Sequence, residues 1–225
     1  MSARYAIYLA PPPDSDIWRR ACAWLGRDAA LDAEVPFAGP PGFDPAITAD
    51  ARHYGFHATI KAPFRLADGA TVDALCDAAA LFARARKPFA IPIRLSALGS
   101  FLALTEAEPG EGIAALHADA LAAFEPFRAP LTEADLARRL ASPLTERQKA
   151  HLAEWGYPYV LDDFRLHFTL TGRLPSEERA RAGTALGDYF AADLAQPLPI
   201  DAICVFEQPA PGAPFRIIHR ASFAG

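Results

Sequence analysis

Apolar residues recur at every second position in several short stretches of this chain and at every third or fourth position in longer ones. Period two marks a strand with one buried face, and a period near 3.6 marks an amphipathic helix. Arg4 to Ala10 alternates and reads as a strand, stopped by Pro11-Pro12-Pro13. Asp14-Ser15-Asp16 offers capping residues for a helix over Ile17 to Leu25, which Gly26 can close. Phe37 to Pro45 is rich in Pro and Gly and reads as a loop. Tyr54 to Pro63 alternates again. Thr71 to Arg86 has helical spacing through Val72, Leu75, Ala79 and Phe82, and Phe89 to Leu95 with Phe101 to Thr105 reads as a hairpin around Gly99-Ser100.

The middle reads as helical. Gly112 to Phe124 is one helix, Thr132-Glu133-Ala134-Asp135 opens a second with a capping-box pattern, and Thr145 to Trp155 is a third, closed by Gly156 and blocked by Pro158. Phe164 to Leu174 alternates as a strand, Pro175-Ser176-Glu177-Glu178 opens a helix to about Phe190, and Leu198 to Phe206 with Phe215 to Ser222 forms a last strand pair. Two stretches, 54–106 and 164–222, can be laid on each other with the helical segment 111–156 between them: His57 lies 31 residues before Pro88, and His167 lies 30 before Pro197. Each reads as strand, helix, proline, strand, turn, strand. The expected fold is α+β: one domain of two pseudo-symmetric lobes, largely antiparallel sheet with outer helices, around a central cleft.

Composition narrows the class. With 225 residues, 52% of them hydrophobic, the chain can bury a proper core. A net charge of −5 argues against a protein that coats long nucleic acid, but leaves room for a local basic pocket. Cys22, Cys76 and Cys204 are scattered without Cys-x-x-Cys spacing and read as free thiols in a reducing compartment. Met1 to Ala10 lacks a long apolar signal core, and no run approaches a membrane span, so a cytoplasmic protein without membrane contact is expected.

Candidate chemistry sits in two of the alternating runs. In Tyr54-Gly55-Phe56-His57-Ala58-Thr59-Ile60-Lys61 and Arg165-Leu166-His167-Phe168-Thr169-Leu170-Thr171-Gly172, a histidine and a threonine stand two apart, so each pair shares a strand face, with apolar residues behind it. Histidine exchanges protons near neutral pH, and threonine hydroxyls can donate to phosphoryl oxygens. In-line displacement at phosphorus needs a base on one side and an acid on the other, which one His-x-Thr from each half would supply. No metal or cofactor is called for. Lys61 is expected on the face of His57 and Thr59, within reach of a second phosphate. Arg165 shares the face of His167 and could bind an anion, and Tyr5 or Tyr8 could stack on a base or sugar. His53 and His57 have helical metal-ligand spacing, yet on a strand they stand about 13 Å apart. His219, Arg138-Arg139 and Arg179-Ala180-Arg181 read as structural or solvated.

These motifs resemble those of the 2H phosphoesterase superfamily, which is defined by two His-x-Thr/Ser motifs. Arg4-Tyr5-Ala6-Ile7-Tyr8, Tyr54 to Phe64 and Gln208-Pro209-Ala210-Pro211-Gly212-Ala213-Pro214-Phe215 resemble in particular the branch encoded with phosphonate-utilisation genes. The resemblance implies a two-lobed fold with the motifs facing a central cleft, His57 and His167 as the proton-transfer pair, and Thr59 and Thr169 as phosphate ligands. The expected activity is hydrolysis of a small cyclic phosphate of a sugar or nucleotide, in phosphonate metabolism. The alternatives are an RNA end-processing 2',3'-cyclic phosphodiesterase or 2'-5' ligase, and a non-catalytic nucleotide- or phosphate-binding module. The oligomeric state stays open.

Overall fold

The computed structural model describes residues 3–224. In chain order the elements are β1 (Arg4–Leu9), α1 (Asp16–Leu25), a small ribbon of β2 (Arg27–Asp28) and β3 (Ala33–Glu34), α2 (Ala49–Tyr54) and β4 (Ala58–Phe64). Then follow α3 (Val72–Arg84), β5 (Phe89–Ile91), β6 (Ile93–Leu98) and β7 (Phe101–Glu106). The middle forms α4 (Glu111–Phe124), α5 (Glu133–Leu140) and α6 (Glu146–Trp155). The last third runs β8 (His167–Thr169), α7 (Ser176–Tyr189), α8 (Ala191–Leu194), β9 (Leu198–Ile200), β10 (Ala202–Gln208) and β11 (Arg216–Ser222).

Seven strands form one sheet in the order β11-β10-β1-β4-β8-β7-β6, every neighbouring pair antiparallel. The chain therefore has the α+β, antiparallel architecture that its alternation implies. The connectivity crosses over. Hairpin β6–β7 lies beside β8, whereas β10–β11 reaches β4 through β1. β5 and β9 pair with each other in a separate ribbon, each starting directly after its proline, Pro88 or Pro197.

Cross-strand neighbours share a face, so the register sorts the residues into rows. Leu9, Ala58, Phe168, Leu104 and Leu95 form one row across five strands. Leu9, Ala58, Phe168 and Leu104 are buried. One residue further along, the row reads Tyr8, Thr59, His167, Thr105 and Arg94 on the opposite face. Here the pairing of Thr59 with His167 follows from the antiparallel register of Ala58 with Phe168. Phe56 packs on Phe168 at 5.1 Å and on Trp18 of α1 at 6.4 Å, binding the apolar row to the first helix. α1 is held at its start by Ser15, whose hydroxyl accepts from the Trp18 amide, and it ends in left-handed Gly26. Its Trp24 indole donates to the Leu170 carbonyl at 2.8 Å, just past β8.

Two strands are shorter than the alternation predicts. The first motif strand begins at Ala58 rather than Tyr54, because Ala49–Tyr54 is helical and ends in Gly55, at φ +75°. A Cβ on Gly55 would stand 2.6 Å from the Ala29 Cβ, so glycine is required there for both space and backbone angle. β8 keeps only His167–Thr169 of the expected 164–174. Beyond it, the Thr171 hydroxyl takes the Leu102 amide at 3.0 Å, and the amides of Leu170 and Thr171 share the Leu102 carbonyl. A side chain has replaced the ladder, which ends the strand. Phe168→Ala would empty the centre of the apolar row, and a loss of about 3–5 kcal/mol is expected in denaturant unfolding; a loss under about 1 kcal/mol would show that the β4–β8 junction is held elsewhere.

Candidate active site

The β4–β8 register decides the site. With Ala58 opposite Phe168, His57 falls opposite Thr169 and Thr59 opposite His167, so the two His-x-Thr pairs meet about a local two-fold. Each imidazole is tethered in the same way. His57 Nδ1 lies 3.0 Å from the Gly55 carbonyl, and His167 Nδ1 lies 2.7 Å from the Arg165 carbonyl. A carbonyl oxygen only accepts, so in both rings Nδ1 carries the proton and Nε2 is the atom left for chemistry. His57 Nε2 stands 3.4 Å from the Thr59 hydroxyl.

The two histidines differ in surroundings. The His57 ring stacks on Tyr8 at 4.0 Å and packs near Tyr54 and Phe206. Desolvation in this aromatic nest, reinforced by the charge of His167, lowers its pKa to about 4, against the pull of the Gly55 carbonyl. His57 is therefore neutral at pH 7, as a base must be before it acts. His167 faces a cleft of about 790 Å³ that Thr59, Phe101, Tyr157, Arg165 and Arg173 also line. Among the described residues, neither Arg165 nor Arg173 has a carboxylate partner. The cleft wall thus carries two guanidinium groups free to meet an anion, against one carboxylate, Asp162, that is likewise without an ion pair among the described residues.

His117, which the sequence reading passed over, supports this arrangement. It is 2% exposed on α4 and lines the cleft wall. Its Nδ1–H donates to the Ile60 carbonyl at 2.9 Å, and its Nε2 accepts from the Leu161 amide at 3.0 Å. Its ring stacks on Phe164 at 3.8 Å. One side chain so ties β4, beside Thr59, to the 161–164 segment that leads into Arg165 and His167. Leu161 takes a φ of +52°, unusual for a branched residue, at the point where that bond holds it. The available signal was a histidine in helical register with Ile113 and Leu121, on the buried stripe of α4.

Several expected ligands are elsewhere. Lys61 does not share the face of His57 and Thr59. A bulge in β4 pairs Tyr8 with Thr59 but Ile7 with Lys61, which turns Lys61 to the core face. There its ammonium is 2% exposed, bonded to Glu125 at 2.7 Å and to the Leu121 carbonyl. Tyr5 is buried, and its hydroxyl donates to Glu207. Tyr8 is 1% exposed beneath His57, so it supports that imidazole and cannot stack on a substrate. His53 lies on α2 and bonds Gln208. His219 stands on the edge strand β11, opposite Val205. Of the four motif residues, Thr59 and His167 line the cleft, whereas His57 and Thr169 lie outside its lining, Thr169 next to Ala103 on β7. The arginines Arg147 and Arg173 also line the cleft and escaped the sequence reading; Arg147 is held by both oxygens of Asp163.

His117 is lowered to about 4 by burial, as His57 is, whereas an unfolded histidine titrates near 6.5. The unfolded chain therefore takes up protons first as pH falls. Stability is expected to be full above pH 6.5 and to decline towards pH 4, by on the order of 3 kcal/mol for His117 alone. Denaturant unfolding across this range should show the decline and a shallower slope in His117→Gln; equal slopes in both proteins would contradict the assignment.

Residues 59–216 match the profile of the family described as "Protein of unknown function (DUF1045)". The chain is 40% identical over 231 aligned residues to the ribose 1,5-bisphosphate phosphokinase PhnN of Janthinobacterium sp. (strain Marseille), covering 99% of this chain and 51% of that protein. It is 36% identical to the protein of the same name from Laribacter hongkongensis (strain HLHK9), covering 95% of this chain and 50% of that one. The chain thus spans about half the length of the curated relatives it matches. Among solved structures, it superposes over the full length of both chains on E. coli LigT complexed with 3'-AMP, with a TM-score of 0.44 and 11% identity. A crystal structure of a phosphoesterase gives a TM-score of 0.43 and 11% identity. At these scores the likeness is loose, and no residue role is carried over from it.

Proposed function

This chain belongs to the DUF1045 family, and we propose that within it the chain acts as a 2H-type cyclic phosphodiesterase, opening a small cyclic phosphate of ribose by two-histidine acid–base catalysis. The observation that carries the reading is the antiparallel crossing of His57-Ala58-Thr59 with His167-Phe168-Thr169, both imidazoles tethered through Nδ1. Neutral His57 takes a proton from water at Nε2 as the water oxygen attacks phosphorus. The opposite P–O bond of the ring breaks, and the leaving alkoxide takes the Nε2 proton of His167 imidazolium. One water is consumed, a phosphomonoester and a free hydroxyl are formed, and solvent returns the proton from His57 to His167. Thr59 donates to the phosphoryl oxygens as their charge grows, and Thr169 supports it from across the junction.

The relatives' name fits a place in phosphonate metabolism. Opening a ribose 1,2-cyclic phosphate that bears a 5-phosphate yields ribose 1,5-bisphosphate, the compound for which the kinase is named. No Gly-Lys pair of a P-loop occurs in this sequence, so we assign the kinase chemistry to the half of those proteins that this chain does not match.

Phosphorus NMR tests the reading, with ribose 1,2-cyclic phosphates, nucleoside 2',3'-cyclic phosphates and a short RNA ending in a cyclic phosphate, all in EDTA. Ribose cyclic phosphates are expected to open, and His57→Ala and His167→Ala should each lower kcat/KM by about 10²–10⁴. Preference for the RNA would favour an end-processing enzyme, and binding without turnover would favour a binding module. For the wild type, kcat/KM is expected to hold from neutral pH downwards and to fall only near pH 4, where His57 takes its proton. An acid limb near 6.5 would remove His57 from the base role.

A further inference from the structure

Beside the cleft, and sharing Tyr157 and Ala62 with its wall, lies a narrow recess of about 20 Å³, roughly the space of one water-sized oxygen. Five arginines line it against one carboxylate, Asp135. Asp135 is bonded to both Arg65 and Arg138, and these charges hold its carboxyl down at about 2 despite burial. Arg128 is bonded to Glu125, which also serves Lys61. Arg4 donates to the neutral amide oxygen of Gln208, lies over the Phe215 ring and has no carboxylate partner among the described residues. Arg139 has no ion pair among the described residues, and its guanidinium lies over the Tyr157 ring at 5.0 Å. In a chain of net charge −5, this recess holds a surplus of positive charge.

Two N–H groups point to what the recess takes. Arg139 Nε and Trp155 Nε1 are shut off from solvent, and neither donates to an acceptor in the protein. Burying a donor unpaired is costly, and more so for a charged group. Burial, with the charges of Arg138 and Arg4, pushes the Arg139 guanidinium below its usual value against the opposing pull of Tyr157 and Asp135. Arg165 and Arg173 are exposed and already solvated, so they impose no such demand. Tyr157, on the shared wall, is near enough to raise the pKa of Tyr8, the ring stacked beneath His57.

We propose that Arg139 and Trp155 form a subsite for a second, terminal phosphate on the substrate, one oxygen entering the recess while the cyclic phosphate lies between His57 and His167. This rests on the reading of the histidine pair as the phosphoryl-transfer centre. The substrate class narrows accordingly to a sugar with a cyclic phosphate at one end and a phosphomonoester at the other. Arg139 and Trp155 then select it by charge and by two N–H donors that have no acceptor in the protein.

Calorimetric titration with ribose 5-phosphate and with unphosphorylated ribose tests the subsite without turnover. Wild-type protein is expected to bind the former and not the latter, and Arg139→Met should weaken binding by about tenfold or more. Trp155→Phe, which keeps the bulk and removes one donor, should weaken it severalfold and stands in if Arg139→Met fails to fold. Equal affinity for ribose, no binding of ribose 5-phosphate by the wild type, or unchanged binding in folded Arg139→Met or Trp155→Phe would each overturn the proposal. With cyclic phosphates, the kcat/KM ratio for substrates with and without the terminal phosphate should fall in Arg139→Met. Arg139-dependent binding of ribose 5-phosphate in a protein that opens no cyclic phosphate would refute the catalytic reading and leave the anion subsite standing.

Discussion

One residue pair, Ala58 against Phe168, joins the two halves of the main sheet. The rest of the site depends on that register. Because side chains alternate along a strand, a slip of one residue in either partner would send one His-x-Thr pair to the core face and bring Ala58 or Phe168 to the cleft. The register is guarded from behind. Phe168 is gripped by Phe56 and sits between buried Ala58 and Leu104, so a slip would expose the apolar row. Burial of that face and juxtaposition of the two histidines are the same requirement seen from opposite sides of the sheet.

Around this crossing the site is built by backbone tethers more than by side-chain charge. Gly55 and the Arg165 carbonyl each orient an imidazole, and His117 fixes the wall between them. No carboxylate is bonded to either motif histidine among the described residues. An Asp partner would raise the basicity of His57, whereas its aromatic nest keeps it neutral. His57 in its aromatic nest and His167 on the cleft wall are both half-buried, yet their neighbours give the two similar motifs different surroundings.

Much of this was legible in the sequence because the deciding property is period two. His57 with Thr59, and His167 with Thr169, could be placed on a face from spacing alone, and the apolar residues between them named the opposite face. Most helices were legible from their caps, such as Ser15 and Gly26 for α1. What escaped depended on partners distant in sequence. The bulge that turns Lys61 inward exists only against β1, and the early end of β8 comes from a hydroxyl of Thr171 that bonds Leu102. The short helix α2 lacks an apolar stripe long enough to read. Arg138-Arg139 looked like a solvated helix face, and only the fold brings Trp155 and Tyr157 against it.

The position of β1 bears on how the molecule is made. Its neighbours are β4, about fifty residues on, and β10, which pairs Arg4 with Gln208. On the ribosome, β1 must therefore wait with one edge open until β10 has followed. Long-range pairing of this kind is slow, and an open edge invites other chains. The three prolines directly after Ala10 cannot extend that edge as a ladder. They limit the exposed template to a few residues during the interval when β1 has no second partner.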